Sequence, residues 1–220
     1  MEKIFTILFS FLFTGLVAQS QEVSDKNIGE LIDTYIIQSK LSSNSNLAKI
    51  NQEGSGNEMI TIQQHQGSMT NTIISNQVGN YHVGYIKQIG ADHSTKLLQS
   101  GEGNEANLWS VGQKSETMVY QNGNSNMINS YIDNQGCIGK GAALIQRGEN
   151  NNIEIALLGN GFLFNSWPRA AFIEQKGNGL EISAKMESYT FPIYVEQQSG
   201  PSGGGMKVDI SNSDFSFPMK

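Results

Sequence analysis

Small or apolar residues alternate with polar ones in short bursts along this chain, and each burst runs into a glutamine. Counting back by twos, Ile50 and Ala48 precede Gln52, Leu97 and Thr95 precede Gln99, and Val119 and Thr117 precede Gln121. Leu144 and Ala142 precede Gln146, Ile173 and Ala171 precede Gln175, and Val195 and Ile193 precede Gln197; Ser75, before Gln77, is the polar exception. Beyond each glutamine the alternation resumes, with Met59 and Thr61, Ala106 and Leu108, Ile128 and Ser130, Ile153 and Ile155, and Ile182 and Ala184. A period of two is the signature of a β-strand with one buried face. The pattern predicts strand, tight turn, strand and a second turn, over and over.

The turn between the two strands has its own phrase, Gln-x-Gly-x-x-Asn. Its leading glutamines are Gln52, Gln77, Gln99, Gln121, Gln146, Gln175 and Gln197, at intervals of 25, 22, 22, 25, 29 and 22 residues. Glycine stands two places on in six of them, as Gly54, Gly79, Gly101, Gly123, Gly148 and Gly177. Five places on stand Asn57, His82, Asn104, Asn126, Asn151 and Leu180. The phrase keeps its length, so the interval differences are assigned to the other corner, as expected when loops absorb insertions and packed strands do not. A fixed period of this size marks a repeat architecture.

These features predict an all-β chain: a β-solenoid of about seven stacked strand-turn-strand repeats, of cross-β amyloid type, over residues 45–200. Strands of successive rungs pair in parallel at about 4.8 Å. Glycine takes the positive φ of the bend. Glutamine and asparagine amides both donate and accept, so stacked copies can bond along the axis. Such bonds spare each buried amide a cost of about 1–3 kcal/mol. The expected ladder comprises Gln52, Asn57, Gln77, Gln99, Asn104, Gln121, Asn126, Gln146, Asn151, Gln175 and Gln197, with Gln63 and Gln88 at the end of the second strand.

Composition sharpens this picture. Only 15% of residues are charged while 24 are glycine, so Asn, Gln and Ser carry the polar load, as in Asn/Gln-rich β-assemblies. The formal charge of −6 excludes nucleic acid as a partner, because phosphate binding needs clustered Lys and Arg. Residues 1–20 read as a secretory signal peptide, with Lys3, an apolar run from Ile4 to Val17, and cleavage after Ala18 or Ser20. Cys137 is alone, so no intramolecular disulfide forms and stability must come from elsewhere. Residues 21–44 form either a short amphipathic helix, with Ile28, Leu31, Ile32, Tyr35 and Ile36 on one face, or an irregular capping leader. Residues 201–220 read as a Gly-rich linker followed by a tail or a capping strand.

The phrase resembles the curlin repeat of bacterial curli fibres, Ser-x5-Gln-x-Gly-x-x-Asn-x-Ala-x3-Gln. Asn46, Gln52, Gly54, Asn57 and Gln63 match it in one copy. Gln99, Gly101, Asn104 and Ala106 match in another, as do Ser115, Gln121, Gly123 and Asn126. Asn71, Gln77, Gly79 and Gln88 match with His82 in place of Asn. The resemblance spans roughly residues 45–200. It implies a secreted subunit that passes an outer-membrane secretion pore with accessory factors. Outside the cell it would self-assemble, with itself or other curli-type subunits, into amyloid fibres for biofilm, adhesion and aggregation. The last two copies lack Asn and the closing glutamine appears twice, which leaves a minor or nucleating role open beside the major one.

Sites for chemistry are not expected: no catalytic residue, cofactor or metal is assigned. His65, His82 and His93 lack metal-motif spacing, and the scattered acids form no recognisable catalytic pair. Trp109 is placed on the outer strand face, where contact with surface or matrix polysaccharide is conceivable but packing is the commoner role. Trp167 and Pro168 sit in the longest insertion. The alternatives are a monomeric capped β-solenoid adhesin or nucleator and, at more distance, a polysaccharide-active β-solenoid enzyme.

Overall fold

The computed structural model describes residues 46–64, 70–133, 139–158, 171–186, 193–200 and 205–212. All of them belong to one compact unit, Ser42–Lys220. The signal peptide, the leader at 21–44, His65, Cys137, Trp167 and Pro168 lie outside the described residues.

Eleven strands follow in chain order: β1 (Leu47–Glu53), β2 (Glu58–Thr61), β3 (Thr72–Asn80), β4 (Val83–Ile86), β5 (Ser94–Glu102), β6 (Ser115–Asn124), β7 (Lys140–Glu149), β8 (Ala171–Lys176), β9 (Glu181–Met186), β10 (Ile193–Gln198) and β11 (Lys207–Asn212). One sheet has the order β1-β3-β5-β6-β7-β8-β10, all neighbours parallel. Each strand in it is the Gln-bearing strand of one repeat. Parallel neighbours need a crossover between them, and here the crossover is the second side of the coil. β2 pairs with β4 and β9 with β11, again in parallel. Bridges from Val83 through Glu105, Met127 and Asn152 to Glu181 link these pairs across the intervening rungs. The chain is a β-solenoid.

The register is set by the phrase. Gln52 pairs with Gln77, Gln77 with Gln99, Gln99 with Gln121, Gln121 with Gln146, Gln146 with Gln175, and Gln175 with Gln197. A slip of one residue would turn every inward side chain outward. Leu97, Val119, Leu144 and Ile173 from the first side meet Ala106, Ile128, Ile153 and Ile182 from the second in a narrow buried core. Ser75, Thr95 and Thr117 are buried among them, at 2%, 1% and 2% exposure.

The structure departs from or adds to the expected pattern in three ways. First, the second side is a regular strand only in the first two and last two rungs. In the three middle rungs the backbone takes positive φ repeatedly: at Asn107 through Val111, at Ser130, Ile132 and Asp133, and at Ile155, Leu157 and Leu158. The departure recurs at equivalent positions of adjacent rungs, so its peptide groups still find partners. Leu108 N–H donates to Asn129 O at 2.8 Å, Asp133 N–H to Ser110 O at 2.9 Å, and Ile132 N–H to Ala156 O at 3.0 Å. Buried backbone must be paired, but not by a strand in particular.

Second, the solenoid does not end at residue 200. Lys207–Asn212 pairs with β9 as the second strand of the last rung. The offset is 22 residues between β8 and β10 but 26 between β9 and β11. Four residues are therefore inserted inside the Gln corner of that rung, where the other copies keep a fixed length.

Third, outward does not mean exposed. Met118 lies on the outer face in line with Lys96 and Ala143, yet these three are 2%, 8% and 1% exposed. Burial pushes the Lys96 ammonium below its usual pKa, since a charged group loses hydration there.

Candidate functional site

Glycine shapes the corner that carries the amides. Gly79, Gly101, Gly123 and Gly148 have φ between 116° and 124° or, for Gly101, 112°. A β-carbon on Gly101 would overlap the carbonyl of Gly123 in the next rung, and the same holds from Gly54 to Gly79, Gly79 to Gly101, Gly123 to Gly148 and Gly148 to Gly177. The glycine column is required twice over, by conformation and by the closeness of stacked backbones. Two residues further on, the chain is left-handed again at Gly56, Tyr81, Gly103, Ser125, Asn150 and Gly179. The Gly, Asn and Ser there suited a turn, but the sequence reading had no role for this position.

The glutamines form one unbroken column. Gln52 Nε2 donates to Gln77 Oε1 at 2.6 Å, Gln77 to Gln99 at 2.8 Å, Gln99 to Gln121 at 2.9 Å, Gln121 to Gln146 at 2.9 Å, Gln146 to Gln175 at 3.0 Å and Gln175 to Gln197 at 2.9 Å. From Gln77 onward each amide also reaches the second side, bonding a carbonyl of the rung before it and, for Gln99, Gln121 and Gln197, one of its own rung. Gln121 Nε2 donates to Glu105 O at 2.8 Å and Asn126 O at 2.9 Å. Gln146 and Gln175 donate likewise to Met127 O and Asn152 O. From Gln77 to Gln197 every member is buried.

The asparagine column has amide–amide bonds too, Asn126 Nδ2 to Asn104 Oδ1 and Asn151 Nδ2 to Asn126 Oδ1, both at 3.0 Å, and adds backbone partners. Its Oδ1 accepts the backbone N–H of the next rung: Asn57 from His82, Asn104 from Asn126, Asn126 from Asn151, and Asn151 from Leu180, at 3.0 to 3.1 Å. Its Nδ2 donates to the next rung's glycine carbonyl: Asn57 to Gly79, Asn104 to Gly123, Asn126 to Gly148 and Asn151 to Gly177, at 2.7 to 2.8 Å. The amide thus holds the carbonyl that forbids a β-carbon below it. His82 fills the gap in the column. Its Nδ1 accepts Asn104 N–H at 3.3 Å and its Nε2 faces Val78 O at 3.0 Å, which assigns the proton to Nε2.

Gln63 and Gln88 do not join either column. Gln63 donates to Leu47 O at 3.2 Å and Asn71 O at 3.4 Å, and Gln88 accepts from the Thr95 hydroxyl at 2.7 Å. With Ser110 closing the next copy, no further amide extends a stack from them.

A second column at the opposite corner was visible in the sequence only as the position six residues before the leading glutamine. Asn71 Oδ1 accepts His93 N–H at 3.0 Å, and Asn71 Nδ2 donates to Gly90 O at 2.7 Å. His93 Nδ1 in turn meets Ser115 N–H at 3.3 Å and the Ser115 hydroxyl at 2.6 Å. A β-carbon on Gly90 would overlap the Gly112 carbonyl, so this corner repeats the same design. Burial lowers the His93 pKa, against smaller opposing effects of the Gly112 and Val111 carbonyls and Asp92.

Elsewhere the surface carries small clusters. Trp109 is 40% exposed, edge-on to Tyr131 at 5.3 Å with the Lys87 ammonium 4.5 Å from its ring centroid. Arg147 pairs with Glu174 at 2.6 Å, and Phe172 stacks on Tyr194 at 5.1 Å. Among the described residues, no group of three or more His, Cys, Asp or Glu is placed to hold a metal, and no helix is long and apolar enough to cross a membrane.

No family model, curated protein or solved structure matches this chain.

Proposed function

We propose that this chain is a secreted structural subunit that stacks into curli-like extracellular fibres, serving biofilm matrix, surface adhesion and aggregation. The observation that carries this reading is the unbroken glutamine column, one amide per rung from Gln52 to Gln197. Such a column fixes rung-to-rung register with chemistry that is the same at every step, so it can continue from one molecule into another. A sheet edge at the end of a stack is a template for pairing with a further chain. The partners on this reading are curli-type subunits, delivered through an outer-membrane pore with accessory factors.

The test is cellular. Surface fibres of the native host should be labelled by antibody to residues 21–220 and give a 4.7–4.8 Å reflection on isolation. Absence of labelled fibres, or cleavage of a polysaccharide by the purified chain, would defeat the proposal.

A further inference from the structure

The two ends of the stack differ. Four of the six internal junctions, those that follow Asn57, Asn104, Asn126 and Asn151, make the same demands on the rung that precedes them; His82 and Leu180 hold the asparagine place before the other two. At those four, the preceding rung must offer a glutamine amide to the next glutamine, an asparagine Oδ1 to the next N–H, and an asparagine Nδ2 to the next glycine carbonyl. It must also have glycine where a β-carbon would overlap that carbonyl. At the N-terminal face the first rung stands in the position of a next rung with nothing described before it. Gln52 and Gly54 are exposed there, and the inward Ile50 is 42% exposed.

The last rung of this chain departs from them further than any rung before it, lacking both the glycine and the asparagine where the Leu180 rung lacks the asparagine alone. Gln197 is present but 1% exposed, in contrast to Gln52. Ser199 replaces glycine: it stands two places after Gln197, and its side chain lies against Gly177. By the register of β9 and β11, Met206 stands opposite Leu180 in the asparagine column. Four residues are inserted in the same corner. A second copy brought up end to end would meet Ser199 in place of the left-handed glycine and find no asparagine amide for Asn57.

We infer that the N-terminal face docks on the last rung of a different repeat chain, one that presents Gln, Gly and Asn in this phase, while the C-terminal face closes the stack. This rests on the proposed function and names the partner in that assembly: the chain is a one-sided terminal unit rather than the repeating bulk of a homopolymer.

The experiment uses the mature chain, residues 21–220, and a fluorescein-labelled peptide of residues 115–133, which carries Gln121, Gly123 and Asn126 and so imitates a complete preceding rung. The mature chain alone should sediment as a monomer. It should bind the peptide, and a peptide with Gly123→Ser, imitating Ser199, should bind at least about tenfold more weakly, a difference of about 1.4 kcal/mol. Ile50→Asp in the mature chain should abolish peptide binding with the circular dichroism spectrum unchanged. End-to-end polymers of the mature chain alone would overturn the inference and leave the fibre function standing. Equal binding of both peptides, or binding that survives Ile50→Asp, would also overturn it. No peptide binding, with labelled fibres still seen on cells, removes the inference alone; no binding and no fibres removes both readings.

Discussion

Asn104 donates its backbone N–H to Nδ1 of His82 at 3.3 Å, in the place where Asn126 donates to Oδ1 of Asn104 at 3.0 Å. A ring nitrogen does the work of an amide oxygen, and the column continues across a residue that breaks the phrase. His82→Asn is expected to leave the melting temperature unchanged or raised. His82→Leu leaves the Asn104 N–H and the Val78 carbonyl without that buried partner and should cost about 1–3 kcal/mol. Urea denaturation of the two variants checks the contrast.

His93 gives the fold a pH dependence. Its pKa is lowered in the folded state by burial, and Nδ1 is engaged as an acceptor by Ser115. The unfolded chain therefore binds the proton more readily. Stability is fully present above the unfolded value of about 6.5 and is lost as pH falls through it toward the folded pKa. His93→Asn, the residue its column carries at Asn71, should flatten that loss. Melts at pH 7.5 and 5.5 on both proteins measure it; an identical acid loss in the variant would assign the effect to other groups.

Position along the stack should decide what a glutamine is worth. Gln121→Leu keeps volume but removes the bonds to Gln99, Gln146, Glu105 O and Asn126 O. We expect a loss of roughly 2–4 kcal/mol, from several buried groups left unpaired. Gln52→Leu, at the exposed end with one amide neighbour, should cost about 1 kcal/mol or less on the same scale. Equal losses in equilibrium denaturation would mean that the column contributes nothing as a column.

Two glycines in one corner separate conformation from closeness. Gly103 (φ 63°) has room, its β-carbon meeting only Ser125 Oγ at 3.8 Å. Gly103→Ala should cost about 1–2 kcal/mol, the penalty of the left-handed region. Gly101→Ala adds an overlap with the Gly123 carbonyl and should prevent the stack from closing. Circular dichroism and soluble yield of the two alanine variants provide the comparison.

The sequence by itself determined the period, the face of each inward residue and the register, because a two-residue alternation and a fixed-length turn phrase are local properties of the chain. It also named the glutamine column, since identical residues in identical phase must stack once parallel strands pair. It could not show that Gln63 and Gln88 turn to the backbone and Thr95, because that depends on which side chain lies in the neighbouring rung. Nor could it show His82 and His93 serving as acceptors, which needs the ring nitrogens brought within reach of an N–H some 22 residues away. The left-handed path of the middle rungs is cooperative between layers and has no signal within one. The inequality of the two ends was equally hidden. Ser199 becomes a misfit only when the register sets it against the glycine column that it ends, and Met206 only when it follows Leu180 beyond the last asparagine.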